Sequence, residues 1–264
     1  MKFLVQLNNC RFFDDFCYEL KNAQDYAKWR GEPFEIRTLE TNSEWRNYKQ
    51  SDMLPFEDFI PVGSIEFVQD YYNVHYPEFD GKGLLPLNVP ERLFPYAGRM
   101  IFNVTEKDAE YMLNNCINLN MYRKSITYIK DPMNGFIKVK NIADITDMQL
   151  SSNIEENHII RSEWRVFVFH DKVLYVANYS GNPMVFPDST RIMDMVNTYA
   201  SEAPVAYTLD VYVTEDILMD DGTVINTFVM ECHRFFSCGL YGFRNYAKLP
   251  YMFSQEWFEI LNMK

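Results

Sequence analysis

Three residues in the second half of the chain carry side chains that can bind a divalent cation: Asp210, Glu231 and His233. Each lies in a stretch with the composition of a β-strand, and side chains two residues apart on a strand share a face. Glu231 and His233 therefore share a predicted face with Thr227 and Val229. Two half-buried carboxylates side by side would hold a proton or require a cation. Such oxygen ligands suit Mg²⁺, which keeps several waters and takes further oxygens from substrate phosphates.

Strand pairing decides whether these side chains meet. Residues 205–213 and 224–233 predict a hairpin around the Asp-Asp-Gly turn at residues 220–222. A hairpin that folds symmetrically about this turn places Asp210 opposite Glu231. A shift of two residues pairs Asp210 with the imidazole instead, and a slip of one residue turns the apolar face of the strand out of the core. A solvated strand face is the alternative interpretation of the two carboxylates, and the hairpin pattern alone does not decide between them.

Cysteine chemistry is the weaker interpretation of the same region. Cys232, His233 and Cys238 could contribute to a zinc site, but adjacent strand residues point apart, and no second Cys or His pair stands at ligand spacing. Cys238 as a catalytic thiol lacks a recognisable His partner. The five cysteines have no repeated spacing, and the first residues turn polar too soon for a signal peptide. These features predict a reducing, cytoplasmic setting.

A second group of chemically capable residues lies at Glu163 and Arg165, which share a face of a predicted strand, while Trp164 packs beneath it. The functional interpretation is that the Arg165 guanidinium donates two hydrogen bonds to a phosphate, and that Glu163 orients Arg165 or binds metal. The alternative is a surface ion pair, which contributes little.

Lysines flank a predicted turn upstream, at residues 131–135. Lys130 ends the strand before the turn, and Lys138 and Lys140 share one face of the returning strand. A lysine at a strand end suits a point-charge contact to a nucleotide phosphate. An exposed lysine without a ligand is the alternative interpretation.

The elements that must position these residues divide the chain in two. The first part alternates strands and helices, with strands at 3–7, 34–39 and 59–62 and helices at 14–29 and 64–72, the second capped by Ser64. Proline and glycine then cluster over residues 77–95, which predicts a domain boundary near residue 95. Beyond it the pattern changes to hairpins at 125–140, 162–178 and 205–233, with helices at 106–115 and 192–200. The predicted fold class is α+β.

Composition sets limits on function. The chain has 264 residues, is 47% hydrophobic and 16% aromatic, and is long enough to bury a substantial core. Its formal charge of −12 argues against a broad surface that follows nucleic-acid phosphates, although a local basic pocket remains compatible. No apolar window approaches the ~20 residues that span a bilayer, so the sequence predicts a soluble protein.

Four segments in order resemble the ATP-grasp superfamily, in particular its compact forms common in bacteriophages. They are the lysine at a strand end, the run SEWRVFV at 162–168, TLDV at 208–211 and MECH at 230–233. The tail SCGLYG at 237–242 strengthens the resemblance, and GSIEF at 63–67 looks like the end of that clade's leading domain. The resemblance covers roughly residues 61–243.

The resemblance implies an ATP-grasp fold of two small α+β subdomains with antiparallel sheets, preceded by a smaller α/β leading domain. It places the leading domain at residues 1–95 and the ATP-grasp domain at 96–264. Within the latter, residues 96–155 form a lid subdomain and residues 156–264 a metal-binding subdomain.

The resemblance also implies a set of site residues. Lys130 matches the phosphate-binding lysine, residues 150–152 look like the hinge whose backbone meets adenine, and Arg165 matches the arginine near the phosphates. The predicted nucleotide-binding residues are Lys130, Lys138, Leu150, Ser151, Glu163 and Arg165, of which Lys130 and Arg165 act in catalysis. The predicted magnesium ligands are Asp210, Glu231 and His233. The family usually has Asn at the last of these positions, and an imidazole is a poorer Mg²⁺ ligand than a carboxamide oxygen.

The implied activity is an ATP- and Mg²⁺-dependent ligation of a carboxylate to an amine through an acyl phosphate. Its substrate would be a peptide, a protein or a small amino compound. The reaction would take place in the cytoplasm, or in the cytoplasm of the host if the chain is phage-encoded. The alternative is an ATP-binding assembly factor of similar fold with little turnover. A metal nuclease is disfavoured because the chain lacks the basic surface that nucleic acid requires.

Overall fold

The computed structural model describes residues 1–8, 11–41, 49–78, 81–115, 121–125, 128–131, 135–138, 148–152 and 159–263. The first part of the chain forms a parallel sheet in the order β2-β1-β3, from β1 (Lys2–Asn8), β2 (Glu35–Thr41) and β3 (Ile60–Val62). Parallel neighbours require crossover connections. Helix α1 (Arg11–Arg30) connects β1 to β2, and α2 (Ile65–His75) follows β3. The predicted alternation of strands and helices is confirmed.

The corner between β3 and α2 depends on two small residues. The Ser64 hydroxyl accepts a hydrogen bond from the Phe67 amide at 3.2 Å, which confirms the predicted helix cap. A Cβ atom added to Gly63 would lie 2.6 Å from the Cβ atom of Gln6, so only glycine allows β3 and β1 to approach this closely here.

The next unit is a small antiparallel sheet in the order β4-β8-β5, built from β4 (Ile101–Val104), β5 (Met121–Ser125) and β8 (Met148–Ser152). Helix α3 (Glu106–Asn115) spans the residues that the sequence predicted. Strands β6 (Tyr128–Asp131) and β7 (Gly135–Lys138) pair as the predicted hairpin. The middle of its turn, residues 132–134, lies outside the described residues.

A four-stranded antiparallel sheet carries most of the candidate site residues. Its order is β10-β9-β11-β12, from β9 (Ser162–Phe169), β10 (Lys172–Gly181), β11 (Ala206–Leu218) and β12 (Val224–Arg234). Both predicted hairpins are confirmed, and the turn between β9 and β10 has positive φ at His170 and Asp171. Helix α4 (Ser189–Tyr199) packs on one face of the sheet.

The other face of this sheet packs in a core that also contains residues of the parallel β2-β1-β3 sheet and of a C-terminal helix, α5 (Leu249–Asn262). Trp257 of α5 packs against the rings of Tyr71 and Tyr72 in α2, with ring centroids 5.5 and 4.8 Å apart. The hydrophobic core therefore continues across the predicted boundary near residue 95, and the three-part division remains a prediction. None of the described helices has the length and apolar character to cross a membrane.

Candidate active site

A buried ion pair lies at the centre of the four-stranded sheet. Arg165 of β9 and Asp210 of β11 are partners in the strand register. The guanidinium donates from Nε to Asp210 Oδ1 at 2.8 Å and from Nη2 to Oδ2 at 2.7 Å. Its Nη1 donates to the carbonyl of Gly239 at 3.1 Å. The side chains are only 8% and 4% exposed. This parallel two-bond arrangement is the strong geometry for an arginine and a carboxylate.

Both members of the pair stay charged despite burial. Burial raises the pKa of Asp210, but the hydrogen bonds from Arg165 and His233 outweigh it and leave that pKa below its ordinary value. Burial lowers the pKa of Arg165, and the Asp210 carboxylate raises it above its ordinary value. Because Asp210 is 3% exposed, the interpretation of this position as a solvated strand face is wrong.

His233 bridges two carboxylates. Its Nε2 atom lies 3.3 Å from Asp210 Oδ2 and 3.3 Å from Glu231 Oε1. Burial lowers the pKa of His233, but hydrogen bonds to Asp210 and Glu231 raise it to about 9. Ligand atoms of the three residues lie within 4.8 Å of one another. Asp210 pairs with Glu231 in the strand register, so the symmetrical hairpin is confirmed and the register shifted by two residues is wrong.

A β-bulge in β12 corrects the predicted faces. Asp210 pairs with Glu231 but Val211 pairs with Val229, so Met230 is an extra residue in the ladder. Val229 consequently packs in the core on the α4 side of the sheet. The prediction that Thr227 and Val229 share a face with Glu231 and His233 is therefore wrong, because a bulge reverses the alternation of side chains.

Arg99 stabilises this bulge and was not predicted. It donates to the carbonyl oxygens of Val229 at 2.8 Å and Met230 at 2.6 Å, and more weakly to that of Ala97 at 3.3 Å. These bonds satisfy carbonyls that a regular ladder would have paired. Arg99 stands in the connection that leads into β4, far from β12 in sequence, and no local motif marks it.

Two tyrosines cover the ion pair. The rings of Tyr179 and Tyr241 stack with centroids 5.3 Å apart, and the guanidinium carbon of Arg165 lies 4.9 Å from the Tyr241 centroid. Stacking of a guanidinium on an aromatic face is favourable. Tyr241 has a φ of 40° and is 42% exposed. The motif SCGLYG at residues 237–242 marks this segment in the sequence, but it does not predict the contact between Tyr241 and Arg165.

A buried glutamate fixes the chain after β12. Glu256 of α5 accepts hydrogen bonds from the Phe235 amide at 2.8 Å and the Phe236 amide at 2.7 Å. Its carboxylate is fully buried, and burial raises its pKa to about 8 against the opposing effects of Arg234 and the two amides. The turn that Glu256 holds leads directly to Gly239, the carbonyl partner of Arg165.

The cysteine alternatives find no support in the geometry. Cys232 lies in the core on the α4 side of the sheet, on the face opposite His233. Cys238 is buried, and burial raises the pKa of its thiol to about 12, with opposition from Arg165. A thiol held protonated in this way is a poor nucleophile.

The remaining predicted residues lie on the three antiparallel sheets. Glu163 is half-buried on β9, and Trp164 packs on the opposite face as predicted. Leu150 is buried on β8, the central strand of the β4-β8-β5 sheet, next to Ser151. Lys130 pairs through its backbone with Phe136, and Lys138 with Tyr128, while their side chains lie outside what the structure describes. The roles of these residues remain predictions.

Residues 119–249 match the family model described as "ATP-grasp domain, R2K clade family 2". No curated protein matches the chain. Several solved structures are similar to it. D-cycloserine synthetase DcsG is 9% identical, with 98% of this chain and 100% of that chain covered and a TM-score of 0.45. An ATP-grasp RimK domain protein from Sphaerobacter thermophilus is 12% identical, with 98% and 99% covered and a TM-score of 0.42. D-alanine–D-alanine ligase from Bacillus anthracis, complexed with ATP, is 10% identical, with 100% and 99% covered and a TM-score of 0.40.

Proposed function

Since residues 119–249 give this chain an ATP-grasp domain of the R2K clade, we propose that it is an ATP- and Mg²⁺-dependent ligase that joins a carboxylate to an amine through an acyl phosphate. The supporting observation is the meeting of Asp210, Glu231 and His233 within 4.8 Å, inside the matched region. The acid and the amine belong to a peptide, a protein or a small amino compound.

The chemistry of the donor set fits Mg²⁺ through its two carboxylates. Each carboxylate oxygen has lone pairs beyond those used by Arg165 and His233, so Asp210 and Glu231 can accept an ion without losing their partners. His233 now stands as a cation between them. A metal ion entering here would displace the His233 proton or move the ring aside. When bound, Mg²⁺ supplies charge neutralisation at the transferred phosphoryl group.

The protein's own residues divide the remaining work. Arg165 orients Asp210, and the N–H groups that it does not use for Asp210 and Gly239 can contact a phosphate oxygen. Lys130 and Lys138, on the β6–β7 hairpin, contribute further positive charge to the phosphates, and the backbone at Leu150 and Ser151 contacts the adenine ring. Glu163, on the same strand as Arg165, orients that guanidinium or binds the metal.

The reaction has two balanced steps. A carboxylate oxygen of the first substrate attacks the terminal phosphorus of ATP, the bond to the bridging oxygen breaks, and ADP leaves. The amine then attacks the acyl carbon, phosphate leaves, and the nitrogen gives up a proton. The first step needs no protein base because the attacking carboxylate is already deprotonated, so positioning and charge neutralisation are the main requirements.

The test is a thermal-shift series with ATP alone, Mg²⁺ alone and both together, followed by ADP release with pairs of candidate acids and amines. A ligand that binds only the folded state raises the melting temperature. We expect a shift with ATP and Mg²⁺ together, and ADP release only when both acceptors are present. ATP–Mg²⁺ binding without ADP release for any acceptor would favour the assembly-factor alternative. The absence of any nucleotide response would contradict both.

A further inference from the structure

Two adjoining cavities lie away from the candidate active site. Their volumes are about 240 and 460 Å³, and they share Tyr26, Tyr246 and Ala247. Together they form a groove between the C-terminal half of α1, strand β10 and residues 244–248, here called the Tyr246 groove. Its walls carry several aromatic rings, those of Tyr26, Phe34, Tyr175, Tyr246 and Tyr251. None of the residues of the buried ion pair lines it.

The charge of this groove is opposite to that of the chain. Arg30, Arg244 and Lys248 line it, against one acid, Glu32, whereas the whole chain has a formal charge of −12. None of the ion pairs found among the described residues involves these three cations. Among the described residues, Asp15 is an acidic neighbour of Arg244, and Glu19 interacts with Tyr246 beside it. Three cations gathered along one aromatic groove of an acidic protein attract a ligand with several negative charges.

Strand β10 runs from the groove to the candidate active site. Tyr175 lines the larger cavity, and its ring lies 6.0 Å from that of Phe243. On the same face of the strand, Tyr179 stacks on Tyr241 beside Arg165. The two tyrosines of β10 are four positions apart in the chain, a spacing that corresponds to ~13 Å in a strand. An extended polypeptide of about four residues therefore spans the distance from the groove to the site.

We propose that the Tyr246 groove binds an acidic segment of a polypeptide substrate, and thereby holds a reacting group of the same polypeptide at the candidate active site. The assignment of a substrate rests on the proposed ligase function, whereas binding to the groove can be measured without turnover. A polypeptide fits better than a nucleic acid, because a long polyanion would also meet the repulsion of the acidic remainder of the surface.

The experiment measures fluorescence anisotropy of labelled hexaglutamate, with labelled hexaglutamine and oligouridylate as comparison ligands. The groove variant is Arg244→Gln with Lys248→Gln. The matched control is Lys49→Gln with Lys107→Gln, which removes the same charge from exposed positions elsewhere. We expect hexaglutamate to bind the parent and the control equally, and the groove variant about tenfold more weakly. Binding should weaken as salt rises to ~0.15 M.

Several outcomes would overturn the proposal. Equal loss in the control would indicate an effect of net charge alone. If hexaglutamine binds as tightly as hexaglutamate, the ligand's charge does not determine binding. If oligouridylate binds more tightly than hexaglutamate, the groove is a nucleic-acid surface. The groove variant should keep the parent's melting shift with ATP and Mg²⁺. If the parent binds hexaglutamate but shows no melting shift with nucleotide, the groove binds acidic peptide and the proposed ligase function is wrong. If the parent shows the nucleotide shift but does not bind hexaglutamate, only the proposal for the groove is wrong.

Discussion

Arg165 and Asp210 form a two-bond ion pair across neighbouring strands, with N–O distances of 2.8 and 2.7 Å and both side chains buried. A residue predicted to contact phosphate is thus bonded to a residue predicted to hold the metal. The two cannot be treated as independent sites, because removal of either leaves a buried charge without its partner. Their substitutions should therefore be strongly non-additive.

Arg165→Lys should lower both stability and nucleotide affinity. Lysine keeps the charge but cannot make two parallel bonds to Asp210 and a third to Gly239, so we expect a loss of about 1–3 kcal/mol in the free energy of unfolding. Denaturant unfolding and ATP–Mg²⁺ titration should be measured on the same sample. The control is Arg161→Lys, whose ion pair with Glu215 is exposed and contributes little. An Arg165→Lys variant as stable as the parent would show that the ion pair is dispensable for folding.

Asp210→Asn and Glu231→Gln should separate stability from metal binding. Asn leaves Arg165 buried without a counter-charge, which should cost about 3 kcal/mol or more. Glu231 is 22% exposed at its side chain, so Glu231→Gln should change stability far less. Both should lose the Mg²⁺-dependent part of ATP binding, measured by calorimetry below the melting temperature. Asp194→Asn, an exposed residue of α4, is the control. Normal Mg²⁺ dependence in both variants would refute the metal assignment.

The hairpin geometry was predictable because local patterns determine it. Strand β9 begins at Ser162, where the predicted hairpin begins, and the symmetrical pairing of Asp210 with Glu231 follows from the position of the turn. The bulge at Met230 was not predictable, because it is stabilised by Arg99, a residue 131 positions away in the chain. Sequence alternation describes a regular ladder, and a distant donor to a strand carbonyl leaves no mark on it.

Helix α5 was missed for a related reason. It carries a proline in its first turn and buries both apolar residues and Glu256, so its buried positions do not read as a purely apolar stripe. Glu256 is buried because the Phe235 and Phe236 amides need an acceptor, which is a requirement of another segment of the chain. The stacking of Tyr179 and Tyr241 over Arg165 was unpredictable for the same reason, because the two tyrosines are distant in the sequence and meet only after folding.

Glu256 should make stability fall as the pH rises. Its pKa is about 8 in the folded protein, raised by burial, against an ordinary value of 4.5. The folded protein therefore holds this proton more tightly than the unfolded chain does. The stabilisation is complete below about pH 4.5 and is lost progressively as the pH rises to about 8. Glu256→Gln should remove this part of the pH dependence, measured by urea unfolding across that range. Glu110→Gln, at an exposed position of α3, is the control and should leave the pH dependence of stability unchanged. If Glu256→Gln also leaves it unchanged, Glu256 is not its source.

His233→Asn should strengthen Mg²⁺ binding while weakening the metal-free protein. The imidazole lies 3.3 Å from an oxygen of both Asp210 and Glu231, where it acts as their shared cation. A carboxamide removes that cation, so the two carboxylates repel and the melting temperature without metal should fall. Its oxygen is a better Mg²⁺ ligand than a ring nitrogen, and a metal ion then has no imidazolium to displace. The variant should therefore recover stability on Mg²⁺ titration, with a midpoint at lower Mg²⁺ than the parent. His170→Asn is the matched control, because that exposed histidine sits in a turn with a φ of 49°, which asparagine tolerates. If His233→Asn melts like the parent without metal and shows the same Mg²⁺ midpoint, the imidazole neither bridges the carboxylates in solution nor stands at the metal position.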